Sequence, residues 1–518
     1  MIKTKIYRQI AALSLVTIMA CVLVALVIFN LNSKKTLQKI IVEASQITDK
    51  DEVMVDFSKQ IGTGSPLVFG GAHAPNIEDQ DAWNLISDVG VTMIRRDFFI
   101  ENELPLNITL EDYKNNVNGV QDPSKWNWDN INATNELYLN AKKRGMKIMG
   151  ILAYSPGWLT YSGTSKGVPK DWNVYKDIVK KLYRIHRNNL DLIEIWNEPD
   201  LIQFLDIKNS GLTRTEAYLK IFTAASQAIR EVDDEMNDGK KIPIIAPAVS
   251  DPNDTTLLEY VLKSDASNYL EGISIHSYDK IEPSWAKYLE IMKKYGKGNL
   301  PIYVSEWNKT SEYVKDNPYT SSDLAITYTG GKLIDFLKYE AAGANYFSTT
   351  YFDSSSQDKY INSFGFYTKT GSKVSLLPQG KAWRVLSRDL ELGTGTSKIV
   401  YSNQGNNLKT LGAISKGGKL VLALVNDENS SKLISIAAKN LSMSGNNVHI
   451  DIYTASPKED GRFPTCSEDV DIVNNSVSFK TIVSGNSVNG ITILQPILSL
   501  NLLLKVLGVS TSQGCIFK

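Results

Sequence analysis

Between about residues 65 and 390 the chain switches repeatedly between short apolar runs and amphipathic stretches of helical period, and this alternation restricts its fold more than any other feature. Strand candidates lie at 66–72 (PLVFGGA), 91–98 (VTMIRRDF), 147–155 (KIMGILAYS), 192–198 (LIEIWNE), 242–250 (IPIIAPAVS), 272–278 (GISIHSY), 301–308 (PIYVSEWN) and 344–352 (ANYFSTTYF). Helix candidates fall between them at 79–89, 130–143, 174–188, 214–232, 256–263, 284–295 and 322–339, and 379–390 follows the last strand. Eight such pairs over about 325 residues predict an α/β fold, a (β/α)8 TIM barrel. A doubly wound open sheet is the competing architecture, and its signature is missing, because no G-x-G-x-x-G follows the first strand.

The flanks read differently. After about residue 395 the helical period gives way to period-two segments such as Val448-His449-Ile450-Asp451-Ile452, separated by Gly, Asn and Ser clusters, which predicts a β-sandwich over 393–495. The segment 52–59 (EVMVDFSK) also alternates, so residues 51–60 are expected to add a strand to that sandwich, with the barrel occupying 61–392. Residues 10–31 are apolar apart from Ser14, Thr17 and Asn30, long enough as a helix to cross about 30 Å of hydrocarbon. No clean small-x-small site follows them, and Ile18-Met19-Ala20-Cys21 resembles a lipoprotein box only up to the apolar residues beyond Cys21. The run reads as a transmembrane anchor with residues 1–9 cytoplasmic and 32–50 as a polar tether; a signal peptide lost on export is the alternative. Basic residues lie on both sides of the run and orient it weakly. Either reading places the bulk outside the cytoplasm. The leucine-rich tail 496–518, interrupted by Asn501 and Lys505, is too short and polar to span a membrane, and no role is assigned to it.

Composition removes several chemistries. Basic and acidic side chains number 56 each, and a zero balance argues against a nucleic-acid partner. Cys21, Cys466 and Cys515 have no zinc-type spacing and form no disulfide framework; a Cys466–Cys515 bridge is open, with two lone thiols the expectation. His73, His186, His276 and His449 are scattered, with no H-E-x-x-H, so hydrolytic chemistry falls to carboxylates and no metal or organic cofactor is implied. Nine Trp and 24 Tyr hint at surfaces that stack against flat ligands such as sugar rings.

A barrel of this class forms its site at the C-terminal ends of the strands. Strand four ends Trp196-Asn197-Glu198-Pro199 and strand seven ends Ser305-Glu306-Trp307-Asn308, which sets two glutamates at opposite walls of the mouth. Two carboxyl groups about 5–5.5 Å apart are what retaining glycoside hydrolysis needs, one protonated and one ionised. W-N-E-P and S-E-W-N at these places resemble the motifs of clan A glycoside hydrolases, and the details resemble glycoside hydrolase family 39. The likeness covers about residues 52–495, including Ser322-Asp323-Leu324-Ala325 and Pro378-x-Gly380-Lys381-Ala382-Trp383. The resemblance implies Glu198 as acid/base, Glu306 as nucleophile and Asn197 as the group that binds the 2-hydroxyl; with the bulk outside the cytoplasm, the expected substrate is an extracellular poly- or oligosaccharide.

Further positions support the pair. Tyr278 and His276 end strand six; the resemblance gives Tyr278 a hydrogen bond to the nucleophile, and His276 is weighed against a satisfied core histidine. Of Arg95 and Arg96 on strand two, alternation lets one point inward, and the resemblance selects Arg95, leaving Arg96 for helix-side solvent or a carboxylate. Trp158 and Trp307 are candidate stacking platforms. Clan A enzymes commonly carry a Trp on strand eight; here Ser348-Thr349-Thr350-Tyr351 stands there, with Tyr351 as the substitute. Gly163-Thr164-Ser165-Lys166-Gly167 matches the G-x-S-x-G elbow of serine hydrolases but has loop composition on both sides, so it reads as a flexible loop at the rim of the cleft. The expected activity is that of a retaining, endo-acting glycosidase. An exo-acting xylosidase-like enzyme, a non-hydrolytic glycan-binding barrel and a serine esterase using Ser165 are the rivals.

Overall fold

The computed structural model describes residues 52–279, 282–405, 407–443 and 445–495, together with the backbone of 516–517. The apolar run at 10–31 and the rest of the tail lie outside the described residues; among those described, no helix is long and apolar enough to cross a membrane.

Eight parallel strands close into a barrel: Gly70–Ala72, Met93–Phe99, Lys147–Ala153, Leu192–Ile195, Ile244–Val249, Gly272–Tyr278, Ile302–Asn308 and Gly343–Phe347. Gly70 aligns with Met93 on one side and Asn345 on the other, which joins the first strand to the last. That first strand is shorter than its apolar run suggests, because Pro66–Phe69 forms a 3-10 turn whose Ser65 cap accepts from the Leu67 amide. Pro66 suits the start of a turn, having a fixed φ and no N–H for a ladder. Gly70 is required by close approach, since a Cβ there would lie 2.4 Å from Asn345 Oδ1.

Met93, Met149, Leu192, Ile245 and Tyr303, from strands two, three, four, five and seven, form a separate apolar floor. Period-two alternation sends Arg95 and Glu194, two residues further along, to the same face one layer nearer the mouth. Strand seven breaks the period. Its register against strand six shifts, so that Ile275 pairs with Val304 but His276 pairs with Glu306. This bulge brings Glu306 to the cleft and turns Trp307 outward. Trp307 is fully buried there, its ring parallel to that of Trp383 within 2° at 6.2 Å between centroids. Trp383 comes from the helix Pro378–Arg384 and meets Phe69 and Phe366 edge-on, so the P-x-G-K-A-W segment closes the outer core. The helix expected to run to 390 gives way to a π turn at Val385–Asp389.

The C-terminal unit is a single ten-stranded hydrogen-bonded sheet rather than two separate ones. Alternating residues of its strands, among them Val448, Ile450, Ile452, Phe479, Ile491 and Ile493, converge on one apolar core that the sheet wraps around. Glu52–Gly64 enters it between Ser397–Ser402, antiparallel, and Lys432–Lys439, parallel, as its alternation leads one to expect; Val53 and Val55 contribute to the core. Ile516–Phe517 adds an edge beside Val477–Val483. Cys466 is disulfide-bonded, which corrects the expectation of lone thiols; its partner lies outside the described residues. The helix Leu324–Lys338 joins the two units, with Lys409 Nζ 2.6 Å from Asp335 Oδ2.

Candidate active site

Strand two supplies the centre of the site. Arg95 is 2 % exposed and donates from Nε to Glu194 Oε2 (2.7 Å), from Nη1 to Glu306 Oε1 (2.6 Å) and from Nη2 to Asn197 Oδ1 (2.7 Å). One guanidinium thus ties strands two, four and seven together through its planar fork. The Arg95 contact fixes the Asn197 amide, because a guanidinium can only meet its oxygen. The Nδ2–H group is left to donate elsewhere. Glu194, an ordinary strand residue by sequence, is fully buried and serves as a second counter-charge to Arg95.

Strand four stops at Ile195, and the chain then turns sharply over the mouth: Trp196 has φ 74° and Glu198 φ 46°. Left-handed conformations at non-glycine residues cost about 1–3 kcal/mol each and persist only where surroundings enforce them. The enforcing contacts are Trp196 N–H to Leu152 O (3.2 Å), Glu198 N–H to Ala248 O (3.0 Å), and Asp200, whose carboxylate accepts from the Ser250 amide and hydroxyl. Without this turn, alternation alone would govern where Glu198 points.

Strands six and seven complete the group. Tyr278 donates its hydroxyl to Glu306 Oε2 at 2.6 Å, and His276 Nδ1 lies 2.9 Å from Glu198 Oε1 and 3.5 Å from Glu306 Oε2. Burial alone would raise the Glu306 carboxyl, but His276, Arg95 and the Tyr278 phenol outweigh it and hold it down to about 2. His276 is buried, which disfavours its charge, yet the facing carboxylates Glu306 and Glu198 raise it above the usual histidine value. Burial, reinforced by the Glu306 charge, pushes the Tyr278 phenol far up, so it remains a donor. One oxygen of Glu198, one of Glu306 and one nitrogen of His276 all lie within 4.8 Å of one another.

These groups line a cleft of about 700 Å³ whose walls also carry His73, Asp97, Phe99, Tyr154, Lys166, Phe204, Tyr313 and Phe347. Glu198, Glu306, Asn197, Tyr278 and Arg95 all face it, with His276 directly behind. The other three expected residues do not. Trp307 is turned into the core by alternation after Glu306; Trp158 stacks on Tyr113 at 5.7 Å, away from the cleft lining. Tyr351 lies beyond strand eight, which ends at Phe347, and its hydroxyl bonds Asp353. The aromatic ring that strand eight brings to the cleft is Phe347, edge-on to Tyr278. Phe347 and Tyr154 sit at strand ends and were findable by the same rule that found the glutamates. Arg96 is half-buried, interacts with the Asp97 carboxylate and lies 2.6 Å from His73 Nδ1. Burial together with the Arg96 charge lowers His73 to about 3, leaving it a neutral acceptor. Ser165 lies in a bonded turn, its carbonyl accepting from the Ser155 amide, rather than on a strand-to-helix elbow.

Among the described residues Glu198, His276 and Glu306 form the one group close enough to hold a metal ion. The Arg95 guanidinium 2.6 Å from Glu306 opposes a second cation there by charge repulsion.

The model of "Glycosyl hydrolases family 39" matches residues 153–367, a stretch that contains Asn197, Glu198, His276, Tyr278 and Glu306 but not Arg95 or the sheet domain. A "Beta-xylosidase" of Geobacillus stearothermophilus is 21 % identical over 207 residues, which are 33 % of this chain and 38 % of that protein. Among solved structures, a GH39 enzyme from Xanthomonas axonopodis pv. citri superposes with a TM-score of 0.63 at 12 % identity, covering 87 % of this chain and 99 % of that one. A glucosidase from Croceicoccus marinus gives 0.64 at 15 %, covering 86 % and 99 %. Barrel and sheet domain together therefore have the fold of these proteins.

Proposed function

From a chain that is a family 39-like glycoside hydrolase, we propose that cleavage runs by double displacement, with Glu306 as nucleophile and Glu198 as acid/base. The observation that carries this reading is the approach of the two carboxylates within 4.8 Å, which suits direct attack on a sugar carbon. An inverting enzyme would need about 6.5–9.5 Å between its carboxyl groups to admit water. Glu306, held ionised by Arg95, His276 and Tyr278, attacks the anomeric carbon as Glu198 gives its proton to the departing oxygen. A covalent glycosyl–Glu306 ester results. Glu198, now a base, takes a proton from water, which releases the sugar with its original anomeric configuration. In this reading the Asn197 Nδ2–H, on an amide whose oxygen is held by Arg95, binds the hydroxyl beside the reacting carbon.

The substrate of this reading is a poly- or oligosaccharide cut internally. One further hollow adjoins the cleft, and a second, lined in part by Tyr351, adjoins that one. The first shares Asp97 and Phe99 with the cleft, and the second shares Ala74 and Asn76 with the first, which suits a long chain. Exo action on xylosides is the second reading, favoured by the β-xylosidase likeness. Residues 10–31 support a membrane-anchored enzyme acting outside the cytoplasm.

NMR of the first product formed from aryl glycosides, with β-xylosides first, tests the mechanism: retention is expected, and initial inversion would contradict it. Glu198→Ala should keep glycosylation by substrates whose leaving group needs no proton and recover turnover with azide, giving a retained glycosyl azide. Glu306→Ala should do neither.

A further inference from the structure

Two cationic side chains line the cleft, and they differ in how they are used. Arg95 spends its fork on Glu194, Glu306 and Asn197. Lys166 forms no ion pair and no side-chain hydrogen bond among the described residues. Its Nζ lies 4.5 Å from the ring centre of Phe204 and 5.3 Å from that of Tyr154, on the flank of the cleft that carries Glu198. Aromatic faces hold an ammonium in place by its charge yet leave its three N–H groups free to donate.

The loop that carries it lies at the rim of the cleft, as its composition leads one to expect, and its backbone is hydrogen-bonded. Ser165 O accepts from Ser155 N–H (2.8 Å), Lys166 O from Asp206 N–H (2.9 Å), and Thr164 O from Thr160 Oγ1 (2.8 Å). Gly167 packs so closely that a Cβ would lie 2.3 Å from Ser162 Oγ. The backbone on both sides of Lys166 is therefore pinned to strand three and to the segment following Glu198.

We propose that Lys166 determines specificity by pairing with an anionic group, a carboxylate or a sulfate or phosphate ester, on the sugar bound beside Glu198. That sugar is the leaving group, a statement that rests on the acid role given to Glu198 above. The carboxylates of Glu198 and Glu306 repel an anion from this cleft, and with Arg95 already engaged, Lys166 is the charge free to offset them. A neutral sugar would leave the ammonium bonded only to hydroxyls.

The test compares full-length wild type, Lys166→Gln and Lys166→Arg by affinity electrophoresis in gels containing polygalacturonate, chondroitin sulfate, phosphomannan, xylan or dextran, with hydrolysis of neutral aryl glycosides measured in parallel. At least one anionic polymer should retard wild type. Lys166→Gln should weaken that binding about tenfold, about 1.4 kcal/mol, Lys166→Arg should preserve it, and added salt should reduce the difference. Lys166→Gln should weaken binding to neutral polymers, and lower kcat/KM on neutral glycosides, by less than about threefold, because there it removes only bonds to hydroxyls. Equal losses on neutral and anionic polymers, or no retardation by any anionic polymer, would overturn the proposal. Failure of wild type to cleave any glycoside would instead count against the hydrolase reading, which the binding arm does not use.

Discussion

The mouth of the barrel and the core of the sheet domain both bury their side chains, the first at the base of a cleft and the second away from solvent altogether, with opposite chemistry. The mouth buries Arg95, Glu194, Asn197, Glu198, His276 and Glu306 against one another, whereas the sheet core gathers Val448, Ile450, Ile452, Phe479, Ile491 and Ile493. Taking charges out of water costs several kcal/mol per ion, and their mutual attraction returns that only where the geometry is good. Burying an aliphatic side chain contributes about 1.5–3 kcal/mol without such a condition. The sheet domain therefore supplies stability, and the mouth consumes some of it to hold carboxylates ready for chemistry.

Arg95→Met should break this division most severely. It leaves Glu194 and Glu306 buried near each other without their cation, so stability should fall by about 3–5 kcal/mol in urea unfolding. kcat/KM should fall together with it, because the same guanidinium orients Asn197 and Glu306. In the sheet core, Ile450→Ala should cost about 2–5 kcal/mol in the same experiment, yet leave kcat/KM per folded molecule within about twofold. A large kinetic loss in a folded Ile450→Ala protein would contradict the separation of roles.

Tyr278→Phe sharpens the comparison inside the mouth. It removes the donor to Glu306 Oε2, and kcat/KM should fall about ten- to hundredfold. Glu306 must be ionised to attack, and its lowered pKa places the acid limb of the pH profile well below that of an ordinary glutamate. Loss of the phenol raises that pKa, so the acid limb should move to higher pH. A limb that stays in place would mean that Tyr278 does not help hold the charge. Smallest of all, Trp158→Phe should change kcat/KM by less than about threefold, because its ring lies on Tyr113 outside the cleft.

What could be read beforehand follows from which features are periodic. The barrel was legible because eight apolar runs and their helices repeat, and the two glutamates because strand ends in such a barrel face its mouth. Arg95 was chosen over Arg96 by resemblance, and alternation from Met93 on the floor explains the choice. Trp307 was misplaced because alternation was not applied to it: with Glu306 at the mouth, its neighbour turns outward to the core. Tyr351 was misplaced because strand eight ends at Phe347, four residues before it. Glu194 carried no signal at all: a glutamate in an apolar strand becomes part of a site only through the arginine that folding brings to it. Lys166 was hidden by a loop whose hydrogen bonds are made by backbone groups common to every residue.

The central claim is that Glu306 becomes covalently bonded to sugar. Wild-type protein incubated with a 2-deoxy-2-fluoro glycoside bearing an activated leaving group, of a sugar the enzyme hydrolyses, should gain the mass of one fluorosugar. Proteolysis and tandem mass spectrometry should place that mass on Glu306. Glu306→Ala should gain nothing, while Glu198→Ala should still be labelled. A label on Glu198 or elsewhere, or turnover of the unmodified glycoside with no trapped intermediate and an inverted product, would contradict the account.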